Sequence, residues 1–192
     1  HLDYSFIKKI RNICDEFKVP LIFDEIQTGF CVTGKTWFFE NTDIVPDIVI
    51  FGKKAQVCGI MTTKKFSGIF KSKFKMLDTT WDSDLVDMVR STYIMDFIKE
   101  NDILEKFSLF SSKFINKLKE LKTISNVRGI GGLIAFDFDT ANQRDIFFNT
   151  MYNNGMLCNP TGEKSIRLRP HLTTTEENFK KGLNIIKESL DD

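Results

Sequence analysis

Between residues 4 and 17 the apolar side chains Phe6, Ile7, Ile10, Ile13, Cys14 and Phe17 recur at three- and four-residue intervals, which predicts a helix with one apolar face. It ends before Pro20. Leu21-Ile22-Phe23 is then a short apolar run closed by Asp24-Glu25, the pattern of a buried parallel strand whose carboxyl end carries charge. Gly29 and Gly34 punctuate the loop that follows, and a short helical stretch at Trp37-Phe38-Phe39 leads to Pro46-Asp47. Ile48-Val49-Ile50-Phe51 reads as a second buried strand, broken by Gly52 and followed by Lys53-Lys54. Strand, helix, strand predicts a parallel α/β sheet. Ligands of such sheets bind beyond the carboxyl ends of the strands, where Asp24 and Lys53 both fall.

Residues 59–63 are a candidate third strand. A helical stripe of Leu85, Met88, Val89, Thr92, Met95 and Ile98 follows over 85–99, suited to a helix that bridges two domains. The pattern repeats over 103–121 with Leu104, Phe107, Phe110, Phe114, Leu118 and Leu121, and Gly131-Gly132 precedes an alternating strand over 133–138. A helix over 143–153, strands near Met156-Cys158 and Ser165-Leu168, and a last helix after Thr175-x-x-Asn178 complete a smaller α+β unit. The predicted division is 1–100 and 101–192. There is no repeat, low-complexity tract or long linker.

Lys and Arg total 27 against 26 Asp and Glu, a net charge of +1, so no basic or acidic field points to nucleic acid or anionic lipid. No apolar run approaches the roughly 20 residues that cross a bilayer, and a membrane span is not expected. Cys14, Cys31, Cys58 and Cys158 form no C-x-x-C pair; neither a zinc site nor a disulfide framework is indicated, each is expected to be a small buried hydrophobe, and a reducing, cytoplasmic setting fits. The chain opens on His1 without a signal segment and reads as beginning within a longer protein.

The chemistry lies in an ordered constellation: Asp24-Glu25-Ile26-Gln27-Thr28-Gly29, then Thr33-Gly34-Lys35, then Pro46-Asp47-Ile48-Val49-Ile50-Phe51-Gly52-Lys53. It resembles the cofactor region of class III (ω-amino-acid) aminotransferases, and nearly the whole chain can be laid along the C-terminal half of that family. The resemblance implies a fold type I α/β transferase, with part of the large, mostly parallel-sheet domain over 1–100 and the small C-terminal domain over 101–192. It also implies pyridoxal 5'-phosphate as cofactor.

Within that resemblance Asp24 is the carboxylate that keeps the pyridine nitrogen protonated, so that the ring accepts carbanion electrons. One of the paired lysines, Lys53 or Lys54, binds the cofactor and later moves a proton as a free amine; the family's six-residue spacing from the aspartate of Pro46-Asp47 selects Lys53. Gln27 resembles the glutamine that donates to the cofactor's phenolic oxygen. Thr79-Thr80-Trp81 matches a segment whose hydroxyl reaches the phosphate across a dimer interface, with Thr80 the candidate, which implies a homodimer; the alternative is that these threonines cap the helix beginning near Leu85. Ser165-Ile166-Arg167-Leu168-Arg169-Pro170 resembles the late arginine strand that grips a substrate carboxylate with a two-bond fork. Alignment selects Arg167, and Arg169 shares its strand face.

Gly52-Lys53-Lys54-Ala55-Gln56-Val57-Cys58-Gly59-Ile60-Met61 and Thr80-Trp81 with Asp87-Met88-Val89-Arg90 look most like the lysine 6-aminotransferase branch. The implied reaction passes the ε-amino group of L-lysine to 2-oxoglutarate, giving the semialdehyde and glutamate. The stretch Gly162-Glu163-Lys164-Ser165-Ile166-Arg167 and the double lysine also resemble 4-aminobutyrate aminotransferases. Phe30-Cys31-Val32, where small or glycine residues are common, and His171 after Pro170 depart from both patterns. The upstream phosphate loop and the ring-stacking aromatic of the family are not in this chain, so the isolated polypeptide is expected to be inert. The non-enzymatic alternative is a truncated binding or regulatory module.

Overall fold

The computed structural model describes residues 3–68 and 84–191. They form two compact units, one from 3–31 with the described residues of 35–101, the other from 32–34 with 102–191.

In the first unit, α1 (Tyr4–Glu16) is capped by Asp3, whose carboxylate accepts from the Ser5 amide at 2.7 Å. Lys18, at φ 55°, turns the chain back. Ile7 is buried in a small core with Leu21 and Ile44, against Ile10, Cys14, Phe23 and Phe38, so the predicted face of α1 packs only along Ile7, Ile10 and Cys14, while Phe6, Ile13 and Phe17 are exposed. β1 (Ile22–Asp24) pairs in parallel with β2 (Ile48–Phe51), Asp24 opposite Ile50. β3 (Gly59–Thr62) joins the other edge of β2, and it runs antiparallel. β3 runs antiparallel because the seven residues from Gly52 to Cys58 are too few for a crossover, which takes a dozen or more, so the parallel pairing expected from the strand-helix-strand pattern is confined to β1 and β2. Between β1 and β2 the chain makes a 3-10 turn at Phe38–Asn41 rather than a regular helix. Nor is β1 fully buried: Ile22 and Asp24 are exposed.

The helix α2 (Leu85–Glu100) starts on Asp84, which accepts from the amides of Val86 and Asp87. Asp84 thus fills the cap; Thr79 and Thr80 lie outside the described residues. Of the stripe read along this helix Ile98 is buried, while Leu85, Met88, Val89 and Met95 are exposed. The apolar residues of α2 are spread around its circumference, since Val86, Tyr93 and Phe97 are exposed as well.

The second unit is a four-stranded antiparallel sheet of order β4-β5-β7-β6, from β4 (Ser125–Ile130), β5 (Leu133–Asp137), β6 (Asn159–Thr161) and β7 (Ser165–Leu168). Period-2 alternation buries Ile134 and Phe136 of β5 and Ile166 and Leu168 of β7. These pack against α3 (Ile103–Lys119), α4 (Ala141–Asn153) and α5 (Glu176–Asp191) through Phe107, Phe114, Leu118, Phe147, Met151, Phe179 and Ile186. Each such side chain contributes about 1.5–3 kcal/mol by leaving water. Thr140 and Gln143 form a reciprocal capping box at the start of α4. Gly131, at φ 55°, lies so close to the carbonyl of Val32 that a side chain there would collide with it, and the next amide, Gly132, donates to that carbonyl at 2.8 Å.

Two strand expectations need correction. β4 was not foreseen, and the strand placed at Met156-Cys158 begins at Asn159 instead. The edge position of β6 explains how Pro160, which has no amide hydrogen, is tolerated there. The cysteines also divide. Cys31 and Cys158 are buried, Cys14 is half-buried and Cys58 is exposed, and none of the four is joined in a disulfide. Burial pushes the Cys158 thiol up to about 11, which leaves it protonated and inert near neutrality. Among the described residues no helix is long and apolar enough to cross a membrane.

Candidate functional site

The carboxyl ends of β1 and β2 lie side by side. After the Asp24–Ile50 pair, the Glu25 amide donates to the Ile50 carbonyl at 2.8 Å, so Lys53 follows only three residues beyond a residue in register with Asp24. The side chain of Asp24 is exposed, and among the described residues its Oδ1 alone is engaged, by the Ile26 amide at 3.0 Å. Lys53 is exposed and has a left-handed backbone, φ 52°. For a residue with a Cβ that conformation costs roughly 1–3 kcal/mol and concentrates at functional positions. Lys54 is differently employed: its ammonium donates to the Gln27 carbonyl at 2.8 Å. Asp24, Gln27, Lys53 and Lys54 are therefore gathered at one strand end of the first unit.

Two residues that motif reading passed over hold this arrangement. Glu25 is 2 % exposed; its Oε2 accepts from the Thr28 hydroxyl at 2.9 Å and the Phe38 amide at 2.7 Å, and its Oε1 from the Phe39 amide at 2.9 Å. The carboxylate thus caps the 3-10 turn and ties it to the loop bearing Gln27. Trp37, just before that turn, lies against Phe51 with ring centroids 5.7 Å apart. A Cβ on Gly29 would fall 2.6 Å from the Trp37 ring, which accounts for glycine at that point. The second residue is Asp47, whose Oδ2 accepts from the Leu21 amide at 2.9 Å and from Arg11 at 2.7 Å. Its own amide donates to the Leu21 carbonyl at 2.9 Å. The Pro46-Asp47 pair, read as a distance marker for the lysine, is thus also the bolt that sets β1 against β2.

Burial opposes the charged form of Asp47, but the Leu21 amide, the Arg11 guanidinium and the nearby Lys65 charge outweigh it and hold the carboxyl below its ordinary value. A depressed folded value means stability present above the unfolded value, near pH 4, and lost as pH falls through the folded one. Asp47→Asn is therefore expected to cost about 1–3 kcal/mol near neutrality, with the melting difference from the parent shrinking below about pH 4. A difference that is the same at about pH 7 and pH 3 would dissociate this pair from stability.

The loop at Phe30-Cys31-Val32 explains why small residues suit it. Phe30 and Cys31 sit at φ 58° and 70°, and all three side chains are about 5 % exposed. Glycine adopts those angles freely; here a buried aromatic and a thiol hold them.

Arg167 and Arg169 belong to the second unit. They project from the sheet face opposite the core, Arg167 in register with Ala135 and Asn159, and both are exposed. Burial and then the like charge of Arg167 pull Arg169 below its ordinary value. On the same face Asp137 accepts from Ser165 at 2.6 Å, Arg128 at 2.7 Å and Asn126 at 2.7 Å. Arg167 lies within β7, and Arg169 follows just past the strand's end at Leu168.

A strand-end carboxylate and a lysine thus lie close together on an α/β framework. Residues 1–190 match the model of "Aminotransferase class-III", and the chain belongs to that family of pyridoxal-phosphate-dependent enzymes. It is 32% identical to the L-lysine-epsilon aminotransferase of Mycobacterium tuberculosis, over 99% of this chain and 44% of that protein. A 4-aminobutyrate aminotransferase of Kluyveromyces lactis is 30% identical over 99% of this chain and 42% of its own length. Among solved structures, lysine aminotransferase from M. tuberculosis in the internal aldimine form superposes with a TM-score of 0.93 at 31% identity, covering 100% of this chain and 46% of that one. The chain thus spans less than half the length of these relatives.

Proposed function

We propose that the full-length protein containing this chain is a pyridoxal-phosphate-dependent transaminase that passes the ε-amino group of L-lysine to 2-oxoglutarate, with Lys53 as its catalytic lysine. The observation that carries the reading is the juxtaposition of Asp24 with a left-handed, exposed Lys53 at adjacent strand ends. The donor set fits the cofactor's chemistry: Asp24 has an oxygen left over from its turn for the protonated ring nitrogen, and Gln27 lies three residues on. When bound, pyridoxal phosphate supplies an electron sink for the substrate carbanion. Lys53 would hold the cofactor, and its free amine would move the proton at the substrate's amino-bearing carbon. Asp24 would keep the pyridine nitrogen protonated. Arg167 pairs with a carboxylate of the keto acid, and Arg169 on the same face is the alternative.

The first unit is, on this reading, part of the large domain of a fold type I transferase, and the second its small C-terminal domain. Thr80 contributes its hydroxyl to a neighbouring subunit's cofactor phosphate, so the active unit is a homodimer, and the enzyme acts in the cytoplasm. The similarity to a lysine aminotransferase supports lysine as donor; the 4-aminobutyrate relative supports the other branch.

Two measurements test the proposal. Borohydride reduction of the yellow full-length protein is expected to place the pyridoxyl label on Lys53, and a label on Lys54 would reverse the assignment. Competition among L-lysine, 4-aminobutyrate and ornithine, followed by glutamate formation, is expected to favour lysine. A clear preference for 4-aminobutyrate would move the protein to that branch.

A further inference from the structure

The loop from Ile26 to Gly29 is held at more points than a surface loop requires. From inside, the buried Glu25 carboxylate bonds the Thr28 hydroxyl and the Phe38 and Phe39 amides, while the Glu25 carbonyl accepts from the Gly29 amide at 2.8 Å. From the lysine segment, Lys54 bonds the Gln27 carbonyl. Gln27 therefore sits between a buried anchor at Glu25 and Thr28 on one side and a direct link to the residue after Lys53 on the other. We infer that Glu25 and Lys54 are positioning residues whose shared task is to fix Gln27 relative to Lys53, and that the second lysine of the pair is a staple. This rests on the proposed transaminase reading only for the identity of what Gln27 contacts.

A glutamine amide that donates to a phenolic oxygen is useful only in one orientation, because rotation presents its carbonyl oxygen to an acceptor. Backbone freedom at Gln27 would spread its side chain over several such orientations. A staple from the segment that carries the cofactor lysine makes the two groups move together, the demand of a site in which small displacements are costly. The Lys54 bond is to the main-chain oxygen of Gln27, so through it Lys54 acts on the placement of that residue.

Double-mutant cycles in the full-length protein test this. Lys54→Met and Glu25→Gln are each expected to weaken cofactor affinity by about 3- to 10-fold and to shift the pH at which the visible absorbance of the bound cofactor changes. Lys54→Arg, which keeps a donor, is expected to recover most of the Lys54→Met loss. In a Gln27→Ala background Lys54→Met and Glu25→Gln are expected to have little further effect on either quantity. Losses that multiply with that of Gln27→Ala would overturn the inference. In cofactor-free protein, hydrogen exchange at the Phe38 and Phe39 amides is expected to accelerate in Glu25→Gln, and unchanged exchange would remove Glu25 from the proposal. That readout stands even if borohydride labelling puts the cofactor elsewhere, so failure of the site assignment and failure of the positioning inference are separable.

Discussion

Full-length protein carrying Lys53→Ala is expected to lose its covalently held cofactor and to transfer amino groups at least about 10²–10⁴-fold more slowly, the contribution of positioned proton transfer alone. The variant is clean in structural terms. Lys53 is exposed, it supplies main-chain rather than side-chain contacts to the following turn through its carbonyl, which accepts from the Gln56 amide at 2.8 Å, and alanine keeps that carbonyl. Its left-handed backbone is equally strained with alanine, so thermal stability should stay within about 0.5 kcal/mol of the parent. Single-turnover rates with each half-substrate, read beside a melting curve, make the measurement. Loss of activity together with stability would point to a folding defect, and retained activity would remove Lys53 from catalysis. Lys54→Ala should leave the covalent attachment in place.

The parts of this fold legible in the sequence are those specified by near neighbours. α1 and α3 announce themselves by one-sided apolar spacing and α5 by the Thr175-x-x-Asn178 start, while α4, read over 143–153, begins at Ala141 behind its Thr140 cap. β4 was hidden because Ser125-Asn126-Val127-Arg128-Gly129-Ile130 offers little alternation and a register shift lies between Ser125 and Arg128. β6 was displaced because the apolar Met156 and Leu157 looked like a strand, whereas pairing to β7 starts at Asn159. For α2 the pattern identified the helix but not its surroundings, since seven exposed apolar side chains show no preferred face within the described residues.

The site divides along the same line. Asp24, Gln27 and Lys53 were visible because they sit in short linear motifs, and the parallel pairing of Ile22 with Ile48 then makes neighbours of their segments. Glu25 and Asp47 were visible as letters and silent as to role. The partners of Glu25 are 13 and 14 residues away at Phe38 and Phe39, and Asp47 binds Arg11 across 36 residues. No local spacing announces such contacts. They exist only once β1, β2 and the loop between them are in place.

Replacing Asp24 by asparagine is expected to be as damaging as any change that leaves the fold intact, and the reason lies in how its two oxygens are used. Oδ1 accepts from the Ile26 amide, closing the turn by which the chain leaves β1; the side-chain oxygen of asparagine can accept the same bond, so the turn survives. What disappears is the negative charge and the second acceptor. A neutral amide cannot hold a proton on a pyridine nitrogen as a carboxylate does, because it neither lowers the energy of the pyridinium by Coulomb attraction nor favours its protonated form. The pull of the ring on the electrons freed at the substrate carbon then falls, and a loss of about 3–5 kcal/mol in the proton-abstraction step, or some 10²–10⁴-fold in rate, is the expected result. Cofactor affinity should decline far less, since Lys53 still holds it covalently. Stopped-flow measurement of the lysine half-reaction, compared with the equilibrium binding of cofactor, separates the two effects. A half-reaction slowed less than about threefold, under 1 kcal/mol, would mean that Asp24 is a turn residue and that another group protonates the ring.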